Sequence, residues 1–207
     1  MKRILITGSA GFIGSHLVKA LLVLGYEVIG LDNLNDYYDP ELKYARLLDI
    51  EHFARISNLQ NEYHFYDVDI SNVAELNNIF AAHNFNGVVN LAAQAGVKYS
   101  IENPRAYIDS NLVGFSNILE CCRQHKVEHL LFASSSSVYG MNQKQPFSTS
   151  DNTDFPISLY AAKKSLMNCW RILIAISSIY LVRGCAFLQC MARLDVLTWH
   201  TLSSLKR

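Results

Sequence analysis

The order of apolar and polar positions alternates between two periods. Arg3-Ile4-Leu5-Ile6-Thr7 is a nearly continuous apolar run, as a strand buried on both faces requires, and an amphipathic helical pattern follows until Gly25 ends it. Tyr26 to Leu31 returns to an apolar run. Asp39-Pro40 reads as the cap and first-turn proline of a helix through Glu51, and Glu62 to Val68 as a third strand. Asn72 to Ala82 has helical spacing, Gly87 to Leu91 is a fourth strand, Asn103-Pro104 opens a helix reaching about Gln124, and His129 to Ala133 is a fifth strand. Strands alternating with helices predict an α/β fold, a doubly wound parallel sheet whose ligands sit at the carboxyl ends of the strands.

The first strand runs directly into Gly8, Gly11 and Gly14, spaced i, i+3, i+6 at the start of the helix. A strand that turns tightly into a helix aims backbone N–H groups at whatever sits on the helix N-terminus, and glycines let a pyrophosphate approach them closely. That predicts a dinucleotide site in a Rossmann-type fold, with Gly8, Gly11, Phe12, Ile13 and Gly14 around the diphosphate. Asp32 closes the second strand about twenty residues on, where a carboxylate accepts hydrogen bonds from an adenosine ribose and repels a 2′-phosphate. It selects NAD over NADP, with Asn33 beside it. Asp69 and Ile70 follow the third strand and Leu91, Ala92 and Ala93 lie at the end of the fourth, completing the expected cofactor set. A glycine triplet alone also suits an ordinary turn in another βαβ unit; the strand, helix and Asp32 favour the dinucleotide.

Two further segments carry chemistry. The fifth strand ends in Ser134-Ser135-Ser136-Ser137-Val138-Tyr139, and Tyr160 and Lys164 stand four apart on one helical face. Such a pair by itself is an ordinary solvated face. Coupled to the glycine turn and the serine strand end, it reads as a base: a phenol whose ionised form a neighbouring ammonium and a cationic cofactor ring favour, with a serine hydroxyl orienting the reacting oxygen. Lys98 reads equally as a contact to a substrate phosphate or carboxylate and as a solvated lysine. His16 reads as a packing or capping residue, and the aromatics Tyr37 and Tyr38 as packing or ligand contacts.

Composition narrows the classes. With 207 residues, half of them hydrophobic, and 18 basic against 18 acidic side chains, the chain suits one domain plus a fragment, with no electrostatic reason for nucleic acid or an anionic membrane as partner. The longest apolar run, Ile172 to Val182, is broken by serines and too short to span a bilayer. The opening residues read as a strand and not as a signal peptide, so the cytoplasm is expected, and the five cysteines suit reduced thiols there. No CxxC or paired histidine spacing suggests a metal.

The glycine turn, Asp32, the serine strand end and the Tyr160/Lys164 pair resemble the extended short-chain dehydrogenase/reductase family, the NAD-dependent epimerases and dehydratases. Within it, Leu31 to Pro40 and Asn90 to Pro104 are similar to bacterial UDP-glucuronate 4-epimerases, and the resemblance runs from Met1 to about Ala162. It implies NAD-dependent 4-epimerisation of UDP-glucuronate to UDP-galacturonate through a transient 4-keto sugar, for capsule or lipopolysaccharide synthesis. Tyr160 resembles the family's base, Lys164 the lysine that binds ribose and lowers the tyrosine pKa, and Ser135 the strand-end hydroxyl, with Ser136 or Ser137 as alternatives in the serine run. Ser135, Ser136 and Lys98 are the implied sugar contacts, and Asn111 resembles a helix asparagine found near such sites. Other UDP-hexose epimerases and 4,6-dehydratases of the family are the enzyme alternatives. A dehydratase would carry an Asp-Glu pair where Ser136-Ser137 stands.

Past Ala162 the character changes. Three of the five cysteines and both tryptophans lie beyond residue 168, and Asp195 is the one acidic residue in 169–207. Codons for Lys163 to Ile176 and for Arg183 to His200 can be chosen so that a single displaced frame restores residues similar to the family's. The expectation is therefore a Rossmann domain over 1–164 and an out-of-frame tail over 165–207. The fold would be truncated, without a sixth strand or a complete substrate-binding domain. The family's homodimer would be in doubt, and a remnant that binds NAD without turnover is the reading from another class.

Overall fold

The computed structural model describes residues 1–96, 99–142, 146–148 and 150–167, and the backbone of 181–185. β1 (Arg3–Thr7) leads into α1 (Phe12–Val23), followed by β2 (Glu27–Asp32), α2 (Pro40–Ile56), β3 (Tyr63–Asp67), α3 (Val73–Ala82) and β4 (Gly87–Asn90). Short helices α4 (Tyr99–Glu102) and α5 (Pro104–Ile108) come next, then a π-helical turn (Asp109–Gly114), α6 (Phe115–Gln124) and β5 (His129–Ala133). A last helix, α7, covers residues 159–167, and β6 is Leu181–Cys185. The caps follow the sequence: the side chains of Asp39, Asn72 and Asn103 each accept a backbone N–H in the first turn of the helix that follows, with proline next at 40 and 104.

All strands are parallel, in the order β3-β2-β1-β4-β5-β6. The chain winds outward from β1 to β3, then crosses to β4 on the other side, so a crevice opens where β1 and β4 part. Alternate residues explain both helical layers. Leu5, Ile29, Val88 and Leu130 face Leu76, Phe80, Phe115 and Ile118 of α3 and α6. Ile4, Ile6, Val28 and Val89 face Val18, Leu21 and Leu22 of α1 and Ile50 of α2. Met167 packs into the first of these layers, tying α7 to the α3/α6 face.

Three expectations are corrected. The sheet has a sixth strand: β6 pairs with β5 from His129↔Leu181 through Ala133↔Cys185. A strand edge offers unpaired backbone groups, and pairing with them requires extended backbone and no particular side chains. The helix opened by Asn103-Pro104 is interrupted by the π turn, and α2 runs to Ile56, beyond Glu51. Residues 168–180 and 186–207, which hold most of the expected out-of-frame tail, lie outside the described residues.

Gly14 sets how closely α1 sits on β1. A Cβ there would lie 2.1 Å from the Gly8 carbonyl oxygen and 2.8 Å from Ser9 Cα, backbone atoms that cannot swing aside. Gly14→Ala is expected to lower stability by roughly 2–3 kcal/mol, read as a lower urea midpoint at unchanged slope.

Candidate active site

The turn after β1 is built for close approach. Gly8 has φ +72°, and a Cβ on it would come within 2.8 Å of the Ala92 amide nitrogen. Gly11 donates its N–H to the Gly8 carbonyl and caps α1 with no side-chain hydrogen bond, and the first turn holds no acidic residue. The N–H groups of that turn therefore face a concavity with the helix dipole's positive end behind them. Phe12 and Ile13 contribute through backbone, since their side chains point to solvent at 59% and 39% exposure.

In front of the turn lies a cleft of about 630 Å³, counted to its open mouth, lined by Gly8, Gly11, Asp32, Asn33, Asp69 and Ile70 on one side and by Leu91, Ala92 and Ala93 on the other. Asp32 Oδ2 accepts from the Ala10 N–H at 3.2 Å, and Oδ1 accepts from the Leu34 N–H at 3.0 Å. Burial works to raise the Asp69 pKa, but the Ser71 hydroxyl and amide and the Asn33 amide donate to its carboxylate and hold it below its ordinary value. Carboxylates at the β2 and β3 ends and an uncapped helix N-terminus between them match the hydroxyls and the diphosphate of a dinucleotide. The cradle fits NAD on these donors and acceptors.

The reactive side chains gather beyond β5. Ser135 caps the short 3₁₀ turn Ser136–Tyr139, accepting the Ser137 N–H at 3.2 Å, and its hydroxyl hydrogen-bonds the Ser137 hydroxyl at 2.7 Å. Of the four serines, Ser135 is the one whose hydroxyl favours the ionised form of the Tyr160 phenol. Ser136 is half-buried at the start of the turn. Lys164 is buried, donates to the Ala133 carbonyl at 2.7 Å, and holds its ammonium 5.9 Å from the centre of the Tyr160 ring. Burial pushes the Tyr160 phenol up, the Ser135 hydrogen bond pulls it down, and Tyr37 pushes it up again. In this ligand-free geometry desolvation thus outweighs anything that favours phenolate. Lys98 lies outside the described residues.

Tyr107 joins the two halves. Fully buried, it stacks edge-on against Tyr160 at 6.3 Å and donates to the carbonyls of Ala95 and Gly96 in the loop after β4. Burial and the neighbouring phenols push it up to about 12, so it remains a donor. Asn111, in the π turn, holds the same loop: it accepts the Gln94 N–H at 2.8 Å and donates to the Gln94 carbonyl at 2.9 Å. A π turn inserts one extra residue into the helix and re-aims its neighbours. Here it spends both ends of the Asn111 amide on backbone.

Sequence reasoning left Tyr38 open between packing and ligand contact, and it lines the cleft; it missed four further cleft residues, Asn35, Lys43, Gln94 and Ser110. Lys43 donates to Asp32 at 3.2 Å and to Asn35 at 3.0 Å, and Arg46 donates to the Tyr38 hydroxyl and the Ala10 carbonyl. The available signal was the Asp39-Pro40 cap, which fixes where the first turn of α2 begins and so puts Lys43 one turn in. His16 does what was expected of it: its Nδ1 meets the Phe12 carbonyl at 2.8 Å and its ring packs edge-on against Phe12. Cys121 and Cys122 are buried free thiols.

Burial lowers the Lys164 pKa to about 8 from an ordinary 10.5. The sign follows. Below pH 8 both folded and unfolded chains carry the ammonium and the folded state bears its desolvation; between 8 and 10.5 only the unfolded state stays protonated, so stability rises with pH. Lys164→Met is expected to stabilise the protein at neutral pH by about 2–3 kcal/mol and to flatten that rise, in urea titrations at a series of pH values.

A six-stranded doubly wound sheet with a glycine turn, a strand-end carboxylate and a Ser-Tyr-Lys cluster defines a Rossmann-type, short-chain dehydrogenase/reductase-like protein. Comparison with known proteins makes this specific. The family model described as GDP-mannose 4,6 dehydratase matches residues 5–182, and the chain belongs to this family of NAD-dependent epimerases and dehydratases. It is 56% identical over 162 residues to Protein CapI of Staphylococcus aureus, covering 78% of this chain and 46% of that protein. It is 48% identical over 162 residues to UDP-glucuronate 4-epimerase 4 of Arabidopsis thaliana, covering 78% and 35%. Among solved structures, a tyrosine-to-phenylalanine mutant of UDP-glucuronic acid 4-epimerase from Bacillus cereus, in complex with UDP-4-deoxy-4-fluoro-glucuronic acid and NAD, superposes with a TM-score of 0.77 at 28% identity. That match covers 89% of this chain and 55% of the other. The chain spans less than half the length of these curated relatives. Among the described residues no helix is long and apolar enough to cross a membrane, and no His/Cys/Asp/Glu cluster could hold a metal.

Proposed function

We propose that this chain carries the cofactor and acid-base half of an NAD-dependent 4-epimerase that interconverts UDP-glucuronate and UDP-galacturonate in the cytoplasm, for a capsule or lipopolysaccharide. The observation that carries the reading is Tyr160 with the Lys164 ammonium 5.9 Å from its ring and the Ser135 hydroxyl favouring its ionised form, joined through Tyr107 to the loop that lines the dinucleotide cleft. Gly8, Gly11 and the first-turn amides of α1 hold the diphosphate, Asp32 and Asn33 the adenosine ribose, and Tyr160 and Lys164 the nicotinamide end. Bound NAD would supply the chemistry of taking the C4 hydride and giving it back to the opposite face of the 4-keto sugar, so that no net oxidation remains. Ser135 orients the sugar C4 hydroxyl and Tyr160 Oη takes its proton. After the 4-keto sugar turns over, Tyr160 returns that proton, so the enzyme is unchanged per cycle. Ser136 and Lys98 are the further sugar contacts of this reading.

Ser136-Ser137 after the strand-end hydroxyl supports epimerase over 4,6-dehydratase, which eliminates water and needs an acid-base pair there. We also propose that 165–207 arise from a displaced reading frame, and that the homodimer is weakened as a result. The abrupt loss of acidic residues after 168 motivates this, and an intact frame in the gene between codons 155 and 210 would sink it. The same observation favours a second reading, a remnant that binds NAD without turnover. Titration with NAD followed by an assay on UDP-glucuronate separates the two: turnover supports the enzyme, saturable binding alone supports the remnant, and no binding overturns both.

A further inference from the structure

Gln94 stands one residue past the small-residue pair Ala92-Ala93, in the loop beyond β4, and lines the same cleft as Gly8, Gly11 and Asp32. It is 94% buried by its 6% exposure, and among the described residues its side-chain Nε2 has no hydrogen-bond partner. Buried amide donors are nearly always paired, and an orphan is destabilising unless something else supplies an acceptor. The fold nevertheless fixes this residue firmly. Asn111 holds both its backbone N–H and its carbonyl, from a π turn, and Ser110 of the same turn lines the cleft beside it. The loop's next two carbonyls are held by Tyr107, whose ring touches Tyr160. Gln94 is therefore set between the glycine turn and the reacting phenol, away from the Asp32 end.

We propose that Gln94 is a cofactor-binding residue whose amide N–H donates to an acceptor oxygen on the nicotinamide-ribose half of the dinucleotide. The inference rests on the NAD reading above and adds to it a determinant of which half of the cofactor is gripped. An N–H₂ group matches a hydroxyl oxygen of the nicotinamide ribose, and the described residues leave no acceptor of the chain's own in reach of Nε2.

The test is equilibrium binding of NAD, ADP-ribose and ADP to the full chain, to Gln94→Met and to Gln94→Glu, by calorimetry. Both variants keep the side chain's length; the second replaces the donor with a carboxylate. Gln94→Met is expected to weaken NAD and ADP-ribose about ten-fold and to leave ADP within two-fold, with a larger loss for Gln94→Glu. Unchanged NAD affinity in both variants overturns the proposal, and so does an equal loss for ADP, which would mean the loop had collapsed. If unaltered protein binds neither NAD nor ADP, the NAD reading itself fails, which is a distinct result. Thermal melts of the three proteins, expected to rise or stay level when the orphaned donor is removed, verify that the variants fold.

Discussion

Tyr160→Phe is expected to lower the epimerisation rate by about 10³-fold while NAD affinity changes by no more than two- to three-fold. The substitution deletes one oxygen. The Ser135 hydroxyl favours that oxygen's ionised form, and the ring, packed edge-on against Tyr107, stays where it is. The fold therefore has no reason to suffer, and loss of rate reports loss of the proton acceptor. The ligand-free site adds a second, activity-independent expectation. Because burial holds the phenol up even with the Lys164 ammonium 5.9 Å from its ring, ionisation awaits a second cationic group, the cofactor's ring, so NAD should generate phenolate absorbance in the unaltered protein and none in Tyr160→Phe. Phenolate appearing equally in both would assign it to another of the tyrosines, and full activity in the variant would remove Tyr160 from the chemistry.

The largest stability effect is expected from Lys43→Met. Lys43 and Asp32 form an ion pair at 3.2 Å with side-chain exposures of 6% and 7%, and the lysine's other described acceptor is Asn35. Without the ammonium, Asp32 keeps the Ala10 and Leu34 amides but has no cation, and an uncompensated buried carboxylate costs roughly 3–5 kcal/mol. For a chain of this size that corresponds to a melting point lower by about 6–20 °C. Asp32→Asn combined with Lys43→Met should recover most of the loss, because the pair then leaves together. A single-variant loss below about 1 kcal/mol, the range of an exposed pair, would show that water reaches the carboxylate.

Much of the sheet was legible because its rule is local. Strands buried on both faces read as apolar runs, and β1, β2, β3, β4 and β5 fall within one or two residues of where those runs lie. The caps at Asp39, Asn72 and Asn103 were legible for the same reason, since a cap and its amide are two or three residues apart. β6 was missed because a strand recruited by an open edge needs no pattern of its own. The π turn was missed because apolar spacing does not distinguish i→i+5 from i→i+4 bonding, and the contact that marks it, Asn111 to the Gln94 backbone, is tertiary.

The cofactor residues were legible one strand end at a time, yet the chemistry between them was not. By itself the sequence determined the glycine turn, the carboxylate that closes β2, and the Tyr160/Lys164 spacing, because each depends on neighbours within a few residues. The tertiary structure alone decided that Lys43 neutralises Asp32, that Ser135 is the serine whose hydroxyl acts on the Tyr160 phenol, and that Asn111 and Tyr107 pin the β4 loop. Those contacts join positions 11 to 25 residues apart through the packing of separate elements, and no periodicity encodes which side chains the packing brings face to face.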